Sequence, residues 1–221
     1  MPEVGVSDYE MPNAFATGRN PKNAAVVATR GLLSLLNDDE LEGVIGHEMS
    51  HVKNRDILVM SATSAVVSVL TYASRFILFS SIGSRDKNSG PLIIVGLIMC
   101  IFVPIAGLLL QMAVSRSREY LADETGARIT KKPLALANAL RKLSNGCASA
   151  RNDYSDTSHA NMWISDPVRK KKAFGNLFAT HPPVEARIER LEKIAKEMDA
   201  GNIPEYTPEE KYGNHSGLSI E

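Results

Sequence analysis

The chain has 221 residues, room for one globular domain with appendages. Lys and Arg together number 25, as do Asp and Glu, so no net charge argues for nucleic acid or an acidic partner. Cys100 and Cys147 lie far apart and outside any CxxC pair, which argues against a cysteine-built zinc site and a disulfide framework.

In chain order, Met1 to Asn20 is polar and has no apolar stretch of the signal-peptide kind, so no cleavable signal is expected. The segments "NAFATG" (Asn13 to Gly18) and "AAVVATRGLLSLL" (Ala24 to Leu36) are β-rich and flank the turn-like "RNPKN", which predicts a strand pair or hairpin. A helix is predicted next, over "NDDELEGVIGHEMSHVKNRD". Asn37 suits the N-cap, Glu40 stands at the capping-box position, and Asp38 and Asp39 suit the positive end of the dipole. Leu41, Val44 and Ile45 form its expected buried stripe.

On that helix His47 and His51 are four apart, so both imidazoles project from one face, one turn apart. Two nitrogens placed so can share one zinc ion at about 2 Å each. Glu48 follows the first histidine directly, where it can act on a water at the metal. The alternative is an ordinary polar helix face, and spacing alone does not choose between them.

Mean hydropathy, at −0.11, hides a sharply divided chain. Ile57 to Ser74 carries no charge, and after Arg75 the apolar character resumes through "FILFSSIG". Ser89 to Ser115 is again uncharged, around "PLIIVGLIMCIFVPIAGLLLQMAV". A membrane span needs roughly 20 apolar residues, and both runs reach that length, so they read as a membrane hairpin in preference to two buried core helices. Pro104 is expected to mark a kink, which membrane helices tolerate. Lys53, Arg55, Arg116, Arg118 and Arg128 flank the hairpin against Arg85 and Lys87 in its loop, which places both polar flanks in the cytoplasm.

"SRSREYLADETGA" (Ser115 to Ala127) continues from the second run without a break and reads as helical. Gly is missing at 54 and His at 57, where Asn54 and Ile57 stand, so a metzincin-type third ligand is excluded. Glu119 and Asp123 share a helix face, so one can complete a metal site while the other fixes a histidine tautomer; pairing with neighbouring arginines is the plainer alternative.

Farther on, "KKPLALANALRKLSNG" predicts an amphipathic packing helix with Pro133 near its start and Gly146 as its stop. Residues 148 to 176 form a polar insertion in which His159 is expected to face solvent and the basic run Arg169 to Lys172 to be a solvated loop. "HPPVEARIERLEKIAKEM" predicts a helix with prolines in its first turn, and from Ala200 onward a disordered tail is expected.

Four motifs, "NAFATG", "GHEMSHVKNRD", "SRSREYLADETGA" and "LFATHPPVEARIERL", occur in an order that closely resembles the HtpX-like membrane zinc metalloproteases, relatives of the CAAX prenyl proteases. The resemblance covers most of Asn13 to Leu191. It implies one Zn2+ per chain held by His47, His51 and Glu119, with Glu48 as the catalytic carboxylate and Asp123 supporting a ligand from behind. It also implies that His181 and Arg187 help hold substrate or the oxyanion. The strand Asn13, Ala14, Phe15, Ala16 and Thr17 is expected to pair with an extended substrate. Family members usually carry two further spans before the strand region, whereas this sequence starts almost at the strand: either its start is trimmed or it is a naturally short relative, and membrane retention would then rest on the hairpin alone.

The expected fold is α+β and mainly helical, a gluzincin-type domain with a small N-terminal β-hairpin or sheet and an inserted transmembrane hairpin. Its expected parts are residues 1–56 (strands and HExxH helix), 57–115 (membrane hairpin), 116–199 (third-ligand and His-Pro-Pro helices) and 200–221 (tail). The expected function is a zinc endopeptidase of the inner or plasma membrane, its catalytic side cytoplasmic, cutting misfolded or damaged proteins in quality control and stress response. Its partners would be protein substrates and the bilayer, with no nucleic acid. The alternative is a non-catalytic membrane scaffold that keeps zinc as a staple, although such a site has no use for Glu48.

Overall fold

The turn "RNPKN" joins two antiparallel strands in a computed structural model that describes residues 2–83, 89–149 and 182–201. These strands are β2 (Ala14–Asn20) and β3 (Asn23–Thr29), with Ala16 opposite Val26. Gly18 adopts φ +137°, and a Cβ there would lie 2.2 Å from the Asn23 carbonyl oxygen, so the irregular register beside the turn requires glycine. A further strand, β1 (Glu3–Ser7), runs parallel to β3 and makes the sheet order β1-β3-β2. Sequence patterning did not mark β1; its partner lies some twenty residues away, and three of its five residues are exposed.

The predicted β-rich run Ala24 to Leu36 is two elements. β3 ends at Thr29, and α1 (Arg30–Leu35) begins there. Thr29 forces the change: its hydroxyl oxygen accepts from Leu32 N as an N-cap and from Asn13 N, and its hydroxyl donates to the Met11 carbonyl.

α2 (Asp38–Lys53) opens on the predicted capping box: Glu40 N donates to Asn37 Oδ1 at 2.9 Å and Asn37 N to Glu40 Oε2 at 3.0 Å. Val44 is buried, as expected, but Leu41 and Ile45 are only partly so. The most buried face of α2 is instead small and polar: Gly43, Gly46, His47, Glu48 and Ser50. Asn54 closes the helix, and Arg55, at φ 53°, turns the chain in the left-handed region before α3 (Asp56–Gly83) begins.

α3 and α4 (Ser89–Thr130) are long and apolar enough to cross a membrane, and only 11% of the most apolar window of each is buried against protein. Core helices would show the reverse. Phe76, Phe79, Leu97, Ile101 and Phe102 stand exposed on these helices, a surface that water would not tolerate and lipid tails would solvate. The helices meet through small residues, since a Cβ on Gly96 would lie 2.9 Å from Leu78 Cα.

α4 is one helix of 42 residues, about 63 Å long at 1.5 Å per residue, or twice the hydrocarbon thickness. It contains Pro104 and carries on through the third-ligand motif, so the boundary expected at 115/116 falls inside a continuous helix. α5 (Pro133–Ser149) starts at Pro133 but runs past Gly146. A helical glycine costs only about 1 kcal/mol, which the burial of Leu136, Leu140 and Leu143 offsets. α6 (Val184–Asp199) starts just after the prolines, with Pro183 as N-cap. The core lies between α1, α2, α5 and α6, around Leu32, Val44, Leu136, Leu140, Leu191 and Ile194. The expected hairpin loop, polar insertion and tail lie, for the most part, outside the described residues.

Candidate metal centre

α2 and α4 cross where neither has a side chain. A Cβ on Gly126 would sit 2.9 Å from His47 N, and one on Gly46 would sit 2.5 Å from Thr130 Cγ2. This close approach brings Glu119 and Asp123 of α4 against the histidines of α2.

The ring nitrogens His47 Nε2 and His51 Nε2 stand 3.1 Å apart. Glu119 places Oε2 at 3.7 Å from His47 Nε2 and Oε1 at 3.7 Å from His51 Nε2. All three ligand atoms fall within 4.8 Å of one another. Tetrahedral zinc, with bonds of about 2.0–2.1 Å, holds its ligand atoms roughly 3.3 Å apart, so the triad has the right size and donor chemistry for that ion. The other nitrogens of the two rings point away from it. His47 Nδ1 lies 2.9 Å from Asp123 Oδ1 and His51 Nδ1 lies 2.6 Å from Asp56 Oδ2, so a carboxylate stands behind each imidazole and leaves Nε2 for a cation.

Glu48 is buried beside this triad, and Ala16 N–H donates to its Oε2 at 3.0 Å. Burial raises its pKa above the ordinary carboxylate range; the neighbouring histidines pull the other way. For His51, burial favours the neutral ring, but Asp56, Glu119 and Glu48 outweigh it and lift the pKa to about 9.

Arg187, expected at the substrate or the oxyanion, is buried beside the ligand atoms, with 1% of its surface exposed and Nη2 at 3.5 Å from His47 Nε2. Its Nε and Nη2 donate to the two oxygens of Asp123 at 2.7 Å each, and its Nη1 stands 3.2 Å from Glu119 Oε2. Burial opposes its charge, yet Asp123, Glu119 and Glu48 keep it firmly protonated. His181, expected beside it, lies outside the described residues.

Of the expected substrate strand, Asn13 is committed to Thr29 through both backbone groups. Ala14 to Thr17 lie on β2, whose one strand neighbour among the described residues is β3. The Ala16 N–H thus points from the outer edge of the sheet towards Glu48. Asp56 is the residue that sequence reasoning missed: it lies five positions after His51, where helical spacing gives no reason to look.

An HExxH helix joined by a glutamate from a later helix is the arrangement of a metallopeptidase. The model of Peptidase family M48 matches residues 2–195, and the chain belongs to that family. It is 50% identical over 200 residues to the Protease HtpX homolog of Thermococcus kodakarensis, covering 89% of this chain and 69% of that protein. It is 47% identical over 206 residues to the Protease HtpX homolog of Leuconostoc citreum, covering 88% and 67%. The crystal structure of S. mikatae Ste24p shares the fold, with a TM-score of 0.58 at 20% identity over 86% of this chain. The chain spans 46% of that structure's length. The motif resemblance to the HtpX-like proteases therefore holds at the level of the family.

Proposed function

We propose that this chain is a zinc-dependent endopeptidase of the membrane that hydrolyses peptide bonds of misfolded or damaged membrane proteins on the cytoplasmic side. One observation carries the reading: the His47, His51 and Glu119 donors converge beside the buried Glu48 carboxylate, which Ala16 N–H of β2 meets.

His47, His51 and Glu119 would hold the zinc, which when bound acts as a Lewis acid on the scissile carbonyl and lowers the pKa of a water towards 7. Glu48 takes the proton from the attacking water and returns it to the leaving amine. An extended substrate pairs with the outer edge of β2 and so lies alongside Glu48. Arg187 acts as a positioning residue, neutralising the two carboxylates that set His47 and the metal. His181 remains the candidate donor to the oxyanion. The apolar exteriors of α3 and α4 support a membrane location, and the flanking Lys and Arg residues support a cytoplasmic site.

A zinc-stapled scaffold without catalysis is the other reading. A buried carboxylate held aside from the ligand set by a backbone N–H is a liability to a purely structural site, and that favours the enzyme. The test is Glu48→Gln in detergent-solubilised protein, with zinc content and degradation of an unfolded substrate measured together. The variant is expected to keep its zinc and lose proteolysis by about 10²- to 10⁴-fold; cleavage near the parent rate would sink the proposal.

A further inference from the structure

The ring of His51 is met by the first residue of the next helix. α2 ends at Lys53, and the left-handed turn at Arg55 reverses the chain so that Asp56, at the start of α3, comes back onto His51. The contact is short, 2.6 Å from Nδ1 to Oδ2, and Asp56 is buried. A non-glycine residue in that region costs about 1–3 kcal/mol and persists only where its surroundings demand it. The other Asp56 oxygen accepts from Arg118 Nη1 at 3.3 Å, and Arg118 directly precedes Glu119 on α4.

We propose that Asp56 is the positioning residue that orients His51 for metal, and that the Arg118–Asp56 bridge makes both membrane helices part of the metal site. The chemistry is that of a carboxylate behind a ligand imidazole: it accepts a hydrogen bond from Nδ1–H, fixes the tautomer that leaves Nε2 free, and stops the ring turning about χ2. His47 has Asp123 for this purpose, supplied by the third-ligand helix. His51 has Asp56, supplied by the membrane hairpin. Arg118 in turn fixes Asp56, so a shift of α3 against α4 moves the support of one ligand and the backbone of another together.

This inference rests on the proposed metal site, and the experiment separates the two. Zinc affinity of the metal-free, detergent-solubilised full chain is measured by competition with a chelating dye, with the absorption spectrum of bound Co2+ as a second readout. Asp56→Ala is expected to weaken zinc binding by about 10- to 100-fold, with a changed Co2+ spectrum. Asp56→Asn, which keeps the shape and an acceptor oxygen, is expected to fall between Ala and the parent. Arg118→Gln is expected to weaken binding by about two- to fivefold, the scale of a partly exposed ion pair. Should Asp56→Ala fail to fold, the near-isosteric Asp56→Asn carries the test, and parental affinity in it overturns the role. Parental affinity in Asp56→Ala, with Glu119→Ala impaired, overturns the role of Asp56 and leaves the metal site standing. Parental affinity in Glu119→Ala overturns the metal site itself, and this inference with it.

Discussion

Arg187 grips Asp123 through two bonds of 2.7 Å, one to each carboxylate oxygen, and the pair is sealed from solvent. With Glu119 against the same guanidinium, α6 is fastened to α4 beside the metal site. Removing one member of such a buried set leaves the others uncompensated. Arg187→Met is therefore expected to destabilise the fold by about 3–5 kcal/mol. Arg187→Lys, which keeps the charge but not the planar fork, should lie between. Thermal melting in detergent reads both, and an unchanged melting temperature in Arg187→Met would show that the clamp carries no stability.

The raised pKa of His51 predicts how the metal-free protein answers to pH. A group protonated more tightly in the folded state contributes stability that is fully present below its unfolded pKa, about 6.5, and lost as pH rises through the folded value. Folded His51 titrates at about 9. Chelator-treated protein should thus lose stability between about pH 6.5 and 9. Zinc displaces the proton from Nε2, so saturating metal should flatten that slope while zinc affinity climbs over the same range. Melting curves with and without metal across this window provide the check; equal slopes would contradict the assignment.

Asp123 and Glu124 are neighbours in sequence with unlike tasks. Asp123 stands against His47 and Arg187, whereas Glu124 pairs with Arg128 and Arg190 near the surface. Asp123→Asn is expected to lower zinc affinity by about 10- to 100-fold. Glu124→Ala removes two screened ion pairs and should leave zinc affinity and proteolysis at parental levels, with at most about 1 kcal/mol lost in stability. A zinc defect in Glu124→Ala with none in Asp123→Asn would mean that the wrong face of α4 had been assigned.

These contrasts show what the sequence could reveal and why it stopped there. The capping box of α2, the shared face of His47 and His51, and that of Glu119 and Asp123 are all local spacings, readable because helix geometry alone sets them. The apolar runs were legible because uncharged stretches of that length show in composition alone. Asp56 was hidden because its contact depends on the left-handed turn at Arg55, which no hydrophobic period reports. The Arg187 clamp joins residues 64 apart, and only the packed fold discloses whether such an arginine faces substrate or a carboxylate. The buried face of α2 was legible only in part: Val44 is in the core and Leu41 packs against it. Beyond that stripe the helix also buries the glycines that let α4 approach and the polar groups of the site, which hydrophobic patterning does not report.

The hairpin predicts a labelling pattern. Lys53 and Leu134 are exposed on the polar side of α3 and α4, and Gly83 is at the far end of α3, where a new side chain meets nothing within 4 Å. Cysteines at Lys53 and Leu134, in a Cys100→Ser, Cys147→Ser background, should react with a membrane-impermeant reagent from one side, and a cysteine at Gly83 from the other. Extraction of the chain by carbonate alone would instead place both helices outside the bilayer.

The crossing of α2 and α4 yields a prediction in which two glycines, side by side, behave differently. A Cβ on Gly126 meets backbone, His47 N at 2.9 Å and His47 Cα at 3.0 Å, and neither can yield without moving α2. A Cβ on Gly46 meets the Thr130 methyl at 2.5 Å, with the nearest backbone atom at 3.5 Å. Gly126→Ala should therefore cost about 1–3 kcal/mol, the scale of overpacking. It should also weaken zinc binding, because the displaced α4 carries Glu119 with it. Gly46→Ala should show a milder defect that Thr130→Ser repairs, since serine lacks the offending methyl. No such partner change should repair Gly126→Ala, because its clash is with main chain. Melting temperature and zinc affinity of the four variants (each glycine replaced, with and without Thr130→Ser) decide the matter. If Thr130→Ser rescues Gly126→Ala and fails to rescue Gly46→Ala, the crossing geometry that brings Glu119 to the two histidines is wrong.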